Sequence, residues 1–123
     1  MSTASADALR QRLRVALSAR MKQRDKAAVS VLRATLAAID NAEAVDRPAD
    51  ADQGLAIEQI EAGAGVNDVA RRTLTVAQVE QIVRDELAER RSAADEYERA
   101  GRADHAAELR EGAKILSALL EDA

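Results

Sequence analysis

Apolar residues recur every three or four positions along most of this chain, and this spacing limits the folds that it can adopt. Such a repeat places apolar side chains on one face of an α-helix, whereas a half-buried strand needs strict alternation. The sequence has one proline and a single aromatic residue, Tyr97, so helices can run long and the core must be aliphatic. The pattern therefore predicts an all-α protein, a small four-helix bundle.

The first two helices are expected to form an antiparallel hairpin over about residues 7–45. Asp7 can begin the first helix, and Asp25 can cap the second, because the apolar stripe lapses near residues 24–26. A corner of two or three residues there gives a hairpin, and one continuous bent helix is the alternative. The apolar positions of the two helices are Leu9, Leu13, Ala16, Leu17, Met21, Val29, Leu32, Leu36 and Ile39.

A third helix is predicted at about residues 76–100. Thr75 and Gln78 have the spacing of a capping box, and Leu74 precedes the cap as a hydrophobic staple does. Gly101 is the residue type expected just past the end of the helix. The apolar positions predicted to face the core are Val79, Ile82, Val83, Leu87, Ala94 and Tyr97.

The fourth helix is predicted at about residues 104–121, with Asp104 as its cap and Leu109, Ala113, Leu116 and Leu120 on its buried face. Between the second and third helices, residues 47–73 lose the helical pattern and hold the only proline and three of the five glycines. Such a composition is typical of a flexible linker. The chain is therefore predicted to be a single helical domain, residues 1–123, with a flexible linker inside it.

Charge is unevenly distributed along the chain, although the formal net charge is only −4. Residues 1–33 hold eight lysines and arginines against two acidic residues, whereas residues 34–70 hold one against eight. The basic third can contact phosphate groups, or it can contact acidic parts of the same molecule or of a protein partner. The candidate residues for binding nucleic acid or a partner are Arg10, Arg14, Lys22, Arg24, Lys26 and Arg33.

The residues that commonly carry catalysis are scarce in this sequence. It has no cysteine and one histidine, His105, so a thiol nucleophile, a histidine-containing triad and a multi-histidine metal site are not expected. We therefore predict no catalytic residue, no metal ion and no cofactor. The N-terminal residues lack a leader-like pattern and no apolar run is long enough to span a bilayer, so a cytoplasmic protein without a membrane partner is expected.

Two residues stand out on the predicted seam of the third helix. Arg90 falls between Leu87 and Ala94, where a half-buried arginine would need a carboxylate partner. The alternative is that Arg90 extends from the edge of the seam into water. Tyr97 follows on the same face. Both residues are predicted to be structural.

Several short stretches, in this order, resemble the GatB/YqeY-like family. In the first half they are MKQRDK at residues 21–26, VSVLR at 29–33 and AAIDNAE at 37–43. In the second half they are Leu74-Thr75, Glu86, RRSAA at 90–94 and YERAGR at 97–102. The resemblance covers most of the chain outside residues 47–72, where the linker is longer than the family usually has.

The resemblance implies an all-helical accessory protein. A related segment forms the C-terminal tail of the B subunit of the tRNA-dependent amidotransferase, and family members are labelled by association as carbon–nitrogen ligases that use glutamine as amido donor. The resemblance thus implies a module that binds tRNA or a tRNA-handling protein without being an enzyme alone. Family members usually continue into a second small helical subdomain, and this sequence ends at Ala123. The alternative is a helical interaction module, such as a homodimer, with no nucleic-acid role.

Overall fold

A computed structural model describes residues 2–44 and 73–121, and the side chains of residues 7–44 and 73–121. Over these residues the chain forms four α-helices and no strand, which confirms the predicted all-α class. The helices are α1 (Ser2–Lys22), α2 (Lys26–Ala44), α3 (Val76–Arg99) and α4 (Ala103–Glu121). The predicted linker lies outside the described residues except for Thr73, which precedes α3.

The first helix begins earlier than the sequence pattern indicated. It starts at Ser2 rather than near Asp7, because no glycine or proline interrupts the alanine-containing segment before Asp7. The chain then turns at Gln23 and Arg24 instead of continuing as one bent helix. Asp25 caps α2 as predicted: the backbone N–H of Ala28 donates to its Oδ1 at 3.2 Å. The hairpin, not the bent helix, is the observed arrangement.

The helices α1 and α3 end in the same way. After α1, Arg24 N–H donates to the carbonyl of Met21 and Asp25 N–H to that of Arg20, at 3.1 and 3.0 Å. This pair of bonds is a Schellman motif, in which the residue just past the helix takes a left-handed conformation. The same pair of bonds closes α3, and there the left-handed residue is the predicted Gly101, with φ of 81°.

The ends of α3 and α4 follow from local chemistry. Thr75 and Gln78 form both bonds of the capping box, at 2.9 and 3.1 Å, and Leu74 is buried beside them.

Asp104 is not the cap of α4, contrary to prediction. Ala106 N–H donates to the carbonyl of Arg102 at 3.0 Å, so α4 starts immediately after the turn and Asp104 lies within its first turn.

The core is aliphatic and is assembled from all four helices. The largest contact is between α3 and α4, and α1 packs mainly on α2 and α3. The sequence pattern missed several core residues on α2 and α4, and all of them except Val31 are small or polar. They are Ala28, Val31, Thr35, Ala106 and Gly112. Thr35 is satisfied internally, because its hydroxyl donates to the carbonyl of Val31 at 2.7 Å.

Several positions predicted for the buried faces are more exposed than expected. Met21 is 48% exposed and Tyr97 is 36% exposed. Both lie near an end of their helix, where the neighbouring helices no longer cover the predicted face. Val29, Leu36, Leu109 and Leu120 are half-buried.

The helices α2 and α4 pack closely at Gly112. A Cβ atom added to this glycine would lie 3.3 Å from both Cβ and Cγ1 of Val31. A glycine inside a helix costs roughly 1 kcal/mol relative to alanine. Here the absence of a side chain at Gly112 lets the backbone of α4 pack directly on the side chain of Val31.

Replacing Gly112 with leucine should destabilise the fold by about 1–3 kcal/mol, because the new side chain overlaps Val31 in a packed core. Ala118→Leu is the matched control, since Ala118 is exposed on the same helix and should change stability by less than ~0.5 kcal/mol. Urea unfolding followed by circular dichroism measures both. Equal midpoints for the two variants would contradict the proposed close packing.

Candidate functional site

The turn between α1 and α2 gathers cationic side chains into what we call the basic corner: Lys22, Arg24, Lys26 and Arg33. All four residues are exposed. A depression of about 630 Å³ lies against α2 here, and its lining is Met21, Arg24, Lys26, Val29, Ser30 and Arg33. Three of these six residues are cationic and none is acidic. The corner therefore presents concentrated positive charge around a partly apolar floor.

The carboxylate in this turn is already occupied. Asp25 Oδ1 accepts from the start of α2, and Oδ2 accepts from Arg20 Nη1 at 3.0 Å. The N-terminal end of α2 adds a partial positive charge of its own. Arg33 reaches back across the turn, where its Nη2 lies 3.9 Å from the sulfur of Met21. Within the described part of the chain, Lys22, Arg24 and Lys26 have no ion-pair partner.

The other two basic candidates are not at the corner. Arg10 lies half-buried between the start of α1 and the end of α2, where its Nη2 is 2.5 Å from Glu43 Oε2. It is twelve residues from Lys22, or ~18 Å along the helix axis. Arg14 is exposed on α1, ~12 Å from Lys22 by the same measure. The structure thus brings together four of the six candidate residues.

Arg24 has an unusual backbone conformation for its residue type. Its φ is 59°, in the left-handed region that glycine adopts freely and that costs other residues about 1–2 kcal/mol. The corresponding residue after α3 is a glycine. Arg24 is thus held in a strained conformation at the centre of the basic corner, and strain of this kind is frequent at functional positions.

We expect Arg24→Gly to stabilise the fold by about 0.5–1 kcal/mol, because glycine relieves the left-handed strain. Arg24→Ala is the matched control: it removes the same side chain but keeps the Cβ, so it should give no such gain. Thermal unfolding of the three proteins measures the difference. A glycine variant no more stable than the alanine variant would contradict the assignment of strain.

A second concavity, here called the polar cleft, lies where α2, α3 and α4 meet. Its volume is about 390 Å³, and its polar lining comprises Lys26, Ser30, Glu89, Arg90, His105 and Glu108. Lys26 and Ser30 border both the cleft and the depression of the basic corner. The two concavities are therefore adjacent at the start of α2, where they share these two residues.

Arg90 has the carboxylate partner that its position on the seam suggested. Its Nη1 lies 2.5 Å from Glu86 Oε1, one turn earlier on α3, and the two side chains are 17% and 16% exposed. The pair supports one wall of the polar cleft. Arg33, in contrast, does not take a comparable buried position on α2.

The turn between α3 and α4 is exposed to solvent, since every residue from 95 to 104 is exposed. Tyr97 packs on His105 with the ring centroids 4.2 Å apart, and Arg102 lies 5.8 Å from the tyrosine ring. Arg110 bridges the two helices by hydrogen bonds to Glu98 and Asp95, which raise the pKa of its guanidinium. Tyr97 thus stabilises the turn rather than the core.

Among residues 2–44 and 73–121, no group of three or more histidine and acidic side chains is placed to hold a metal ion. None of the four described helices combines the length and apolar character that crossing a bilayer requires.

Comparison with known proteins leaves the chain without an assigned family: no family model, no curated protein and no solved structure matches it. The GatB/YqeY-like resemblance therefore stays a prediction from the sequence.

Sequence reasoning missed the polar cleft altogether. Glu89 and Glu108 belong to no predicted motif, and together with Ser30 they lie on three different helices whose packing the sequence does not specify. The spacing of Lys26 and Ser30, one helical turn apart, was the one local sign that they share a face. The left-handed Arg24 also carried no signal, because arginine is not a residue expected at such a position.

Proposed function

We propose that this chain is a non-catalytic accessory module that binds RNA through its basic corner. The observation that carries the proposal is the depression on α2, which three cationic side chains line and no carboxylate lines. Phosphate groups are the abundant anions that such a surface recognises, and they need no sequence-specific contact. The GatB/YqeY-like resemblance suggests tRNA as the RNA, or a tRNA-handling protein as the partner.

The pairing of three partly buried arginines supports the same proposal. Arg10, Arg20 and Arg90 each have a carboxylate within hydrogen-bond distance. These three guanidinium groups are committed to holding helices and turns together. The residues of the basic corner lack such a carboxylate among the described residues, so their charge is available to an external anion.

Local charge is more relevant than the net charge of −4 in this proposal. Exposed charges separated by more than about 8–10 Å are largely screened at physiological ionic strength, so distant carboxylates weaken binding little. A site of four cations also limits the affinity. We expect weak binding that depends strongly on salt, which suits an accessory role.

The proposal predicts a salt-dependent interaction with tRNA. Four phosphate contacts give a slope of log affinity against log salt of about −3. Replacing all four residues of the basic corner with glutamine should make the slope much shallower and should remove most of the tRNA binding at ~50 mM salt. Fluorescence anisotropy with labelled tRNA measures both quantities.

The matched control changes the same number of charges elsewhere. The variant Arg84→Gln, Arg91→Gln, Arg99→Gln and Lys114→Gln removes four exposed cations from α3 and α4. It should retain most of the slope if the basic corner is the binding site. Equal losses in the two variants would show that only net charge matters, and no tRNA binding by the unmodified chain would refute the proposal outright.

A second candidate function is self-association through exposed apolar side chains of α1. Val15 and Met21 are 59% and 48% exposed on that helix, more than any other large apolar side chain described. A homodimer would cover them. We expect Val15→Ser with Met21→Ser to convert a dimer into a monomer in sedimentation experiments, and a monomeric unmodified chain at high concentration would exclude this candidate.

A further inference from the structure

We infer that the polar cleft between α2, α3 and α4 is a binding site for a small zwitterion, an α-amino acid with an aliphatic side chain. The inference does not rest on RNA binding, because the acidic side chains that it uses lie outside the basic corner. It rests on the volume of the cleft, on the unpaired charges of both signs in its lining and on its apolar walls.

The shape follows from the close contact between Gly112 and Val31. The backbone of α4 meets the side chain of Val31 at this point, and a Cβ added to Gly112 would lie only 3.3 Å from Val31 Cβ. Both residues line the cleft, together with Lys26 and His105 near the start of the two helices. The Gly112–Val31 contact and the first turns of α2 and α4 thus all border the cleft.

The charges of the lining come from three helices. Lys26 belongs to α2, Glu89 to α3 and Glu108 to α4. None of these three side chains forms an ion pair with another described residue, so they do not neutralise one another. Arg90 is neutralised by Glu86. The cleft lining therefore includes one ammonium group and two carboxylates that form no ion pair with a described residue.

This arrangement matches a ligand that carries both signs of charge. The carboxylate of an amino acid would contact Lys26, and its ammonium group would contact Glu89 and Glu108. A phosphate ester or a nucleotide fits less well, because the two free carboxylates repel it. A purely cationic ligand would be repelled by the ammonium group of Lys26 and would leave that group unpaired.

The apolar residues of the cleft favour a ligand with an aliphatic side chain. Ala27, Val31, Ala93 and Leu109 line the cleft beside the charged groups. Ligand sites typically combine an apolar surface with a few polar groups that fix the orientation, in volumes from about 300 Å³ upward. A volume of about 390 Å³ accommodates one amino acid the size of leucine.

The experiment is an NMR titration of the full chain with L-leucine. We expect saturable shifts at the amides of Ser30, Ala93 and Gly112, approaching completion at ~10 mM, tenfold above a Kd of ~1 mM. N-acetyl-L-leucine lacks the ammonium group and L-leucinamide lacks the carboxylate. Each should bind at least about tenfold more weakly, since each loses a charge-assisted contact.

Variants locate the site. Glu89→Gln with Glu108→Gln keeps the side-chain volumes and should abolish the leucine shifts, whereas Glu96→Gln, an exposed position of α3 outside the cleft, should leave them unchanged. Thermal unfolding verifies that both variants are folded. Three results would each overturn the inference: no saturation up to ~10 mM, equal binding of leucine and leucinamide, or shifts that persist in the double variant. The double variant should still bind tRNA, so this inference and the RNA proposal fail separately.

Discussion

The contact between Gly112 on α4 and Val31 on α2 is the constraint on which the rest of the structure depends. With no phenylalanine or tryptophan in the sequence, the core cannot be filled by large rings, and the helices have to approach each other closely instead. The absence of a side chain at Gly112 permits that approach. It also fixes how α2 lies against α4, and hence where the polar cleft that both helices line is formed.

Carboxylate pairing then determines which cations have a structural role. Arg10 joins the two ends of the first hairpin through Glu43, and Arg90 supports the seam of α3 through Glu86. Such half-buried pairs are needed because an unpaired guanidinium would lose hydration without compensation. The basic corner has no equivalent carboxylate among the described residues, apart from Asp25, which already binds Arg20 and the start of α2. This division underlies the proposal of an external anion at the corner.

Arg24 links stability to the proposed function. A glycine at this turn would relieve left-handed strain but would remove a cation from the centre of the basic corner. The turn after α3 has the same hydrogen bonds and uses glycine, so the fold itself does not require arginine at such a position. The two turns therefore share their backbone hydrogen bonds and differ in the residue at the left-handed position, Arg24 in one and Gly101 in the other.

The sequence by itself determined the helices, the caps at Thr75 and Asp25, and the end of α3 at Gly101, because these depend on apolar spacing and on hydrogen bonds between near neighbours. It also predicted the concentration of positive charge in residues 1–33. Only the tertiary structure decided which of those cations are free, since the partners of Arg10 and Arg20 depend on how the chain turns and packs. The polar cleft was likewise decided by packing. Its charged groups lie on three helices, and no local pattern relates residues that become neighbours only when those helices meet.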